Sequence, residues 1–227
     1  MTAPIVAIDG PSGVGKSSTS KLLAGTLGLP HIDTGAMYRA IALKATRMSV
    51  PLDNAEKLAT LASGSTIEFA PSPRGPRTML DGDDVSEAIR EPQISMAAST
   101  ISAVPAVRRV LVRLQQEMGR RNGGVLEGRD IGTKVFPETP YKFFLTARPE
   151  IRALRRHREL QEKGVAITME QVLAEMVQRD EQDSTRADSP LSHDSSYTVV
   201  DTSDLTMDQV VALIVSVIES QEPHRSG

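Results

Sequence analysis

Gly10-Pro-Ser-Gly-Val-Gly-Lys-Ser17, directly after the apolar run Ile5-Val-Ala-Ile8, fixes the architecture of this chain. The spacing is Gly-x-x-x-x-Gly-Lys-Ser, a phosphate-binding loop (P-loop). Gly10, Gly13 and Gly15 let the backbone curl with its amides inward, in conformations that a Cβ resists. Those amides form a nest for phosphate oxygens at the positive end of the next helix. Lys16 reaches the β- and γ-phosphates, and the Ser17 hydroxyl can bind Mg²⁺. The nucleotide-binding set is therefore Gly10, Pro11, Ser12, Gly13, Val14, Gly15, Lys16, Ser17 and Ser18. Ile5–Ile8 reads as a buried parallel strand. Lys16–Leu27 reads as a helix with Leu22, Leu23 and Leu27 on one face, stopped by Gly28. The bland alternative is a glycine-rich turn with no ligand.

The chain has 227 residues, enough for one α/β domain with inserted lobes. Apolar residues make up 39% and support a core; aromatics, at 3% with no Trp, argue against a surface that stacks many bases. A formal net charge of −3 makes the whole molecule a poor polyanion binder, so any basic patch is local. With no Cys, disulfides, thiol catalysis and Cys-type zinc sites drop out, and cytoplasmic residence is expected. Met1–Pro4 leaves no room for a signal peptide before the first strand, and no run approaches the ~18 apolar residues of a membrane span.

Strand and helix patterns alternate, which predicts a parallel sheet covered on both faces. Strands are expected near Ile5–Asp9, His31–Asp33, Val125–Glu127, Lys142–Leu145 and Tyr197–Val200. Asp53-x-x-Glu56, Thr168-x-x-Gln171 and Thr206-x-x-Gln209 look like reciprocally capped helix starts, at least one of them by coincidence. Val210–Ile218 reads as the buried face of a terminal helix. Gly64–Arg90 breaks the alternation: Ser65–Phe69 and Arg77–Leu80 suggest a small antiparallel meander around a Pro-rich turn. Asp81, Asp83 and Asp84 lack the spacing of a calcium loop and read as a solvated turn.

Four further constellations carry chemistry. In Asp33-Thr-Gly-Ala-Met-Tyr-Arg39, a strand end meets a helix start, and Arg39 adds a guanidinium fork for a phosphate. In Glu127-Gly-Arg-Asp130, an acid closes a strand where the water shell of Mg²⁺ needs an anchor, and Arg129 and Asp130 face the cleft. Arg148, Arg152, Arg155, Arg156 and Arg158 crowd one short segment, suited to close over a triphosphate; a nucleic-acid patch is the rival reading. Arg179, Asp183 and Arg186 fall on one helical face, either as plain salt bridges or with Asp183 on ribose and the arginines on phosphate. His31, His157, His193 and His224 have no partner pattern and read as surface or supporting residues.

With these motifs assembled, the chain resembles the bacterial cytidylate kinases from about Ile5 to Ile218. The resemblance rests on Ile8-Asp-Gly-Pro-Ser-Gly-Val-Gly-Lys16, Asp33-Thr-Gly-Ala-Met-Tyr-Arg39, Glu127-Gly-Arg-Asp-Ile-Gly-Thr133 with Val135-Phe-Pro137, and Arg179-Asp-x-x-Asp-x-x-Arg186. It implies transfer of a phosphoryl group from ATP, with Mg²⁺, to CMP or dCMP. Thr34, Arg39 and Arg129 would hold the CMP phosphate; Ser99, Arg108, Asp130 and Arg186 would read the cytosine edge; Arg179 and Asp183 would hold the sugar. Lys16, Arg129, Arg152, Arg155 and Arg179 form the implied catalytic set. Ser17 and, through water, Glu127 form the implied metal shell. Thr34 and Glu127 stand where the family also carries Ser and Asp.

The implied fold is a P-loop kinase: a five-stranded parallel sheet flanked by helices, an inserted lobe with a small antiparallel sheet, and a short Arg-rich lid. Residues 1–34, 120–147 and 165–221 would be core, 35–119 the nucleoside-monophosphate (NMP) lobe with its meander at about 64–90, 148–164 the lid, and 222–227 a frayed tail. Partners would be CMP or dCMP and ATP, with no nucleic acid or membrane and a monomeric chain. A GTP-hydrolysing switch is the rival of another class; it wants an Asn-Lys-x-Asp motif, which the chain lacks.

Overall fold

Ile5–Asp9 (β1) is the middle strand of the main sheet, buried from Val6 to Asp9. Ile5–Ile8 can be apolar without a break because a strand lies on each side and helices cover both faces. In this computed structural model, residues 3–73, 75–162, 164–186 and 188–221 are described. Helices Lys16–Leu27 (α1), Thr34–Arg47 (α2) and Ala55–Ser63 (α3) follow, with His31–Asp33 (β2) between α1 and α2. Then come Ile67–Ala70 (β3), Arg77–Leu80 (β4), Asp83–Asp84 (β5), Pro92–Ser102 (α4), Pro105–Asn122 (α5) and Gly124–Glu127 (β6). Tyr141–Thr146 (β7), Pro149–Glu162 (α6), Met169–Thr185 (α7), Thr198–Asp201 (β8) and Met207–Gln221 (α8) complete the order.

The main sheet runs β2-β6-β1-β7-β8, parallel at every pairing. Its register matters for function. Ile8 pairs with Glu127, and Asp33 pairs with Glu127 from the other side. The carboxylates of Asp9, Asp33 and Glu127 therefore end three neighbouring strands at one edge, the carboxyl edge where such sheets bind ligands. One face packs on α1 and α8, where Leu23, Val210, Val211, Ile214 and Ile218 are buried as the sequence pattern predicts. Each such side chain contributes about 1.5–3 kcal/mol. The other face packs on Ile131, Val135 and Phe136.

A second core joins α2, α3, α4 and α5 to an antiparallel sheet of order β3-β4-β5. The meander of the sequence analysis is thus three-stranded: Asp83–Asp84, read as part of a turn, adds the short third strand. The first strand begins at Ile67 rather than Ser65, because the Ser65 hydroxyl donates back to the Leu61 carbonyl, 2.6 Å away, and finishes α3. A third small core, Ala153, Leu160, Val172 and Met176, binds α6 to α7.

Caps explain the helix boundaries. Gly28 ends α1 in the left-handed region, φ 64°. Thr168 and Gln171 close a reciprocal box at α7, and Thr206 and Gln209 do the same before α8. The third expected box is corrected. Asn54, not Asp53, caps α3, its side chain accepting from the Lys57 amide at 3.0 Å. Arg186 also falls just outside α7, which stops at Thr185. The proposed tail, 222–227, lies outside the described residues. No helix among the described residues is long and apolar enough to cross a membrane.

Candidate active site

Gly10 leaves β1 with φ 145°, and a Cβ there would sit 2.2 Å from the Leu145 carbonyl oxygen at the end of β7. Only glycine allows the chain to turn so close to a neighbouring strand. Gly15, at φ 91°, is the cap residue just before α1, and no side chain caps that end. The first amides of α1 thus remain available to an anion. Lys16 is buried and its Nζ donates to the Pro11 carbonyl across the loop. Burial and the nearby Arg129 hold its amine well below the ordinary lysine range, offset in part by Glu127. An added phosphate would reverse that balance.

Glu127 is the hub of the strand ends. One carboxylate oxygen accepts from Ser17 Oγ at 2.7 Å, and the other meets His31 Nε2 at 2.9 Å. Its backbone carbonyl accepts from Thr34 Oγ1 at 2.7 Å. Among the described residues, no group of three or more acidic or imidazole side chains could hold a metal alone. The adjoining Ser17 hydroxyl and Glu127 carboxylate suit an ion carried mainly by nucleotide phosphates and water.

The acceptor side starts at α2. Asp33 caps it, accepting from the Ala36 amide at 2.8 Å and from Arg39 Nη2 at 2.9 Å. Burial would raise the Asp33 carboxyl, but Arg39, that amide and His31 hold it below the usual range. Arg129 Nε donates to Asp183 Oδ2 at 2.8 Å, and Arg186 Nη2 stands 3.8 Å from Asp183 Oδ1. Asp183 stays below the usual range: burial opposes this, and Arg129, Arg186 and Arg179 enforce it. Arg179 is pulled down to about 10 by burial and by Arg129, with Arg39 and Arg156 adding repulsion. Lys16, Arg39, Arg129, Arg156 and Arg179 therefore share one electrostatic field.

Arg108 and Asp130 form a buried ion pair beside it. Burial pushes the Asp130 carboxyl up, while Arg108 and Arg186 pull it down. The Arg108 guanidinium lies 5.8 Å from the ring centre of Tyr38, whose hydroxyl burial pushes up to about 12. Ser102 joins the cluster: its carbonyl accepts from Arg108 at 3.2 Å and its hydroxyl from Arg186 at 3.4 Å. Ser99 instead donates to Gln182 on α7, at 3.1 Å. Arg39 Nε, Arg108 Nε, Arg186 Nε and Arg186 Nη2 are buried with no hydrogen-bond partner. Buried guanidinium donors of this kind are costly unless an acceptor arrives.

The arginines of α6 divide. Arg152 spans from the Ser12 carbonyl, 2.7 Å, to Asp180 on α7, 2.6 Å. Arg155 turns to Thr202, donating to its carbonyl at 2.6 Å and its hydroxyl at 3.0 Å. Arg148 grips Asp204 with two nitrogens, and Arg156 pairs with Glu159 while its charge reaches Arg179. Arg158 is exposed. The segment is thus less a ring of bare cations than its composition suggests, because the partners come from α7 and from the loop after β8.

Sequence reasoning overlooked Asp9, Asp180 and Ser102, and gave His31 no partner. Asp9 had one local signal: an acid ending an otherwise apolar, fully buried strand. Its partners lie more than a hundred residues away.

A family model described as cytidylate kinase matches residues 6–220 of the chain. The chain is 46% identical over 217 residues to a cytidylate kinase of Citrifermentans bemidjiense, covering 96% of this chain and 93% of that one. It is 46% identical over 213 residues to a cytidylate kinase of Caldanaerobacter subterraneus subsp. tengcongensis, covering 94% and 93%. An uncharacterized protein from Eubacterium ventriosum has a similar fold, at a TM-score of 0.54 and 12% identity, covering 97% of this chain and 100% of that one.

Proposed function

The chain belongs to the cytidylate kinase family, and on that footing we propose that its cleft passes the γ-phosphoryl group of ATP to CMP and dCMP, giving CDP and dCDP. One observation carries the proposal. The phosphate-binding loop and a second set of cations, Arg39, Arg129 and Arg179, converge on one field, beside a buried Arg108–Asp130 pair. A cleft for one nucleotide needs only the first of these.

In this reading ATP lies in the loop formed by Gly10, Pro11, Ser12, Gly13, Val14, Gly15, Lys16, Ser17 and Ser18. Ser17 and, through water, Glu127 would hold the Mg²⁺ carried by ATP, which would neutralise charge on the phosphates. Thr34, Arg39 and Arg129 hold the CMP phosphate, and Arg179 and Asp183 hold the sugar. The attacking group is a phosphate dianion, already a nucleophile, so no strong general base is needed. Lys16, Arg129, Arg152, Arg155 and Arg179 offset the repulsion of two anions and favour in-line transfer. Residues 148–164 act as the lid that excludes water, and residues 35–119 as the acceptor lobe.

Specificity follows from hydrogen-bond logic, with Ser99, Arg108, Asp130 and Arg186 on the base edge. Asp130 accepts from the cytosine N4 amino group and Arg108 donates to N3 or O2. Uracil turns its C4 oxygen toward the carboxylate and loses that bond. The same reading takes the chain as a cytoplasmic monomer that acts on free nucleotides and binds no nucleic acid; its lack of Cys fits the first of these and its net charge of −3 the last.

A coupled assay of ADP release with CMP, dCMP, UMP and AMP tests the proposal. Preference for CMP and dCMP over the other two is expected. Preference for another acceptor would make the chain a kinase of different specificity.

A further inference from the structure

Asp9 has no part in the chemistry above, yet it is 0% exposed and fully engaged. Its Oδ1 accepts from the Ile131 amide at 2.9 Å. Its Oδ2 accepts from the Gly132 amide at 2.9 Å and from the Tyr197 hydroxyl at 2.8 Å. An ionised carboxylate is the one side chain of this size that can accept from three donors without presenting a donor of its own.

The donors come from the two segments next to Asp130 and Arg186, two of the base-edge readers. Ile131–Val135 forms a single π-helical turn, a geometry that needs outside support, and it starts directly after Arg129 and Asp130. Tyr197 ends the loop that follows Arg186. That loop is tied back to α7 by the Leu191 amide on the Asp183 carbonyl, 2.7 Å. The approach is too tight for a side chain at Gly132: a Cβ there would lie 2.6 Å from the Tyr197 hydroxyl. Lys142 borders the same place, its Nζ 5.9 Å from the Tyr197 ring centre and donating to the Pro137 carbonyl and to Ser196.

We propose that Asp9 is a positioning residue for base selection: by holding the Ile131 and Gly132 amides and the Tyr197 hydroxyl together, it sets the Asp130 carboxylate against Arg108 and Arg186. The inference rests on the reading of Asp130 as the cytosine reader. It adds that the residue preceding the phosphate-binding loop governs the acceptor site, not only the loop beside it. Asparagine at this position offers one acceptor oxygen and turns an N–H toward a donor, so at least one of the three bonds is lost. Tyr197→Phe removes one donor and leaves both amide bonds.

The experiment measures kcat and KM for CMP and UMP at saturating ATP, with KM for ATP and thermal midpoints, in wild type, Asp9→Asn and Tyr197→Phe. Asp9→Asn should lower the CMP-over-UMP ratio of kcat/KM about tenfold, mainly through KM for CMP, with KM for ATP within about twofold. Tyr197→Phe should shift the ratio in the same direction by about threefold. Lower thermal midpoints with the ratio unchanged would make Asp9 a purely structural residue and overturn the inference. If Asp9→Asn does not fold, the Tyr197→Phe ratio decides alone, and a wild-type ratio there overturns it. A wild-type enzyme without preference for CMP would refute the Asp130 reading first, and this inference with it.

Discussion

Asp130 and Arg108 show how burial turns an ordinary ion pair into a reader. Exposed, such a pair is worth little. Buried, each group is costly without its partner, and any ligand that meets them must supply complementary atoms. Asp130→Ala removes the acceptor for an N4 amino group and strands Arg108. The CMP-over-UMP ratio of kcat/KM should fall by about 5- to 150-fold, the equivalent of about 1–3 kcal/mol, while KM for ATP holds. Steady-state kinetics on the two acceptors checks this, and an unchanged ratio would remove Asp130 from base reading. At this scale the sequence was uneven. Lys16 and Ser17 announce themselves because the loop is local and its chemistry needs that spacing. Ser99 and Arg108 sit in no pattern, and only the resemblance singled them out. The partners of Asp9 and His31 were not legible, since Glu127 arrives on a paired strand and Ile131 and Gly132 in the turn that follows it.

Among elements, the informative joint is the one between α6, α7 and the phosphate-binding loop. A single guanidinium, Arg152, bridges the Ser12 carbonyl and Asp180. Gly13 fits against the same joint: a Cβ there would lie 2.9 Å from Met176 Cε and 3.0 Å from the Arg152 carbonyl oxygen. Lysine keeps the charge at 152 but cannot span two acceptors from one planar fork. Arg152→Lys should therefore raise KM for ATP by about tenfold, with KM for CMP nearly unchanged and the helices intact by circular dichroism. Equal losses for both substrates would mean that α6 serves the whole cleft rather than the donor loop. Element order and the five parallel strands were legible because apolar runs and alternation are local. The pairing of the α6 arginines was not, because Asp180, Thr202 and Asp204 come from other elements. The α3 start was off by one residue because Asp53 and Asn54 are both good caps, and only the backbone geometry chooses between them.

For the whole molecule, the acids balance in opposite directions with pH. Burial, partly offset by the amides of Gly132 and Ile131, pushes the Asp9 carboxyl from the usual 3.8 to about 6, with Asp130 adding repulsion and the Tyr197 hydroxyl easing it. The folded protein then binds a proton more tightly than the unfolded chain across that window, so this residue's contribution to stability falls as pH rises through it. The loss is on the order of 3 kcal/mol. Asp183, held low despite burial, has the reverse sign: its contribution is present above the ordinary carboxylate value and is lost as pH falls through the folded value. Urea unfolding of wild type and Asp9→Asn between about pH 4 and pH 7 isolates the Asp9 share. The wild type should lose stability relative to the variant as pH rises, and a flat difference would contradict the account. The central claim is that two anionic nucleotides occupy this cleft together. Calorimetric titration of CMP into protein saturated with Mg²⁺ and a non-hydrolysable ATP analogue tests it most directly. The account predicts that one CMP binds per chain with the analogue still in place; displacement of the analogue by CMP from a single shared site would contradict it.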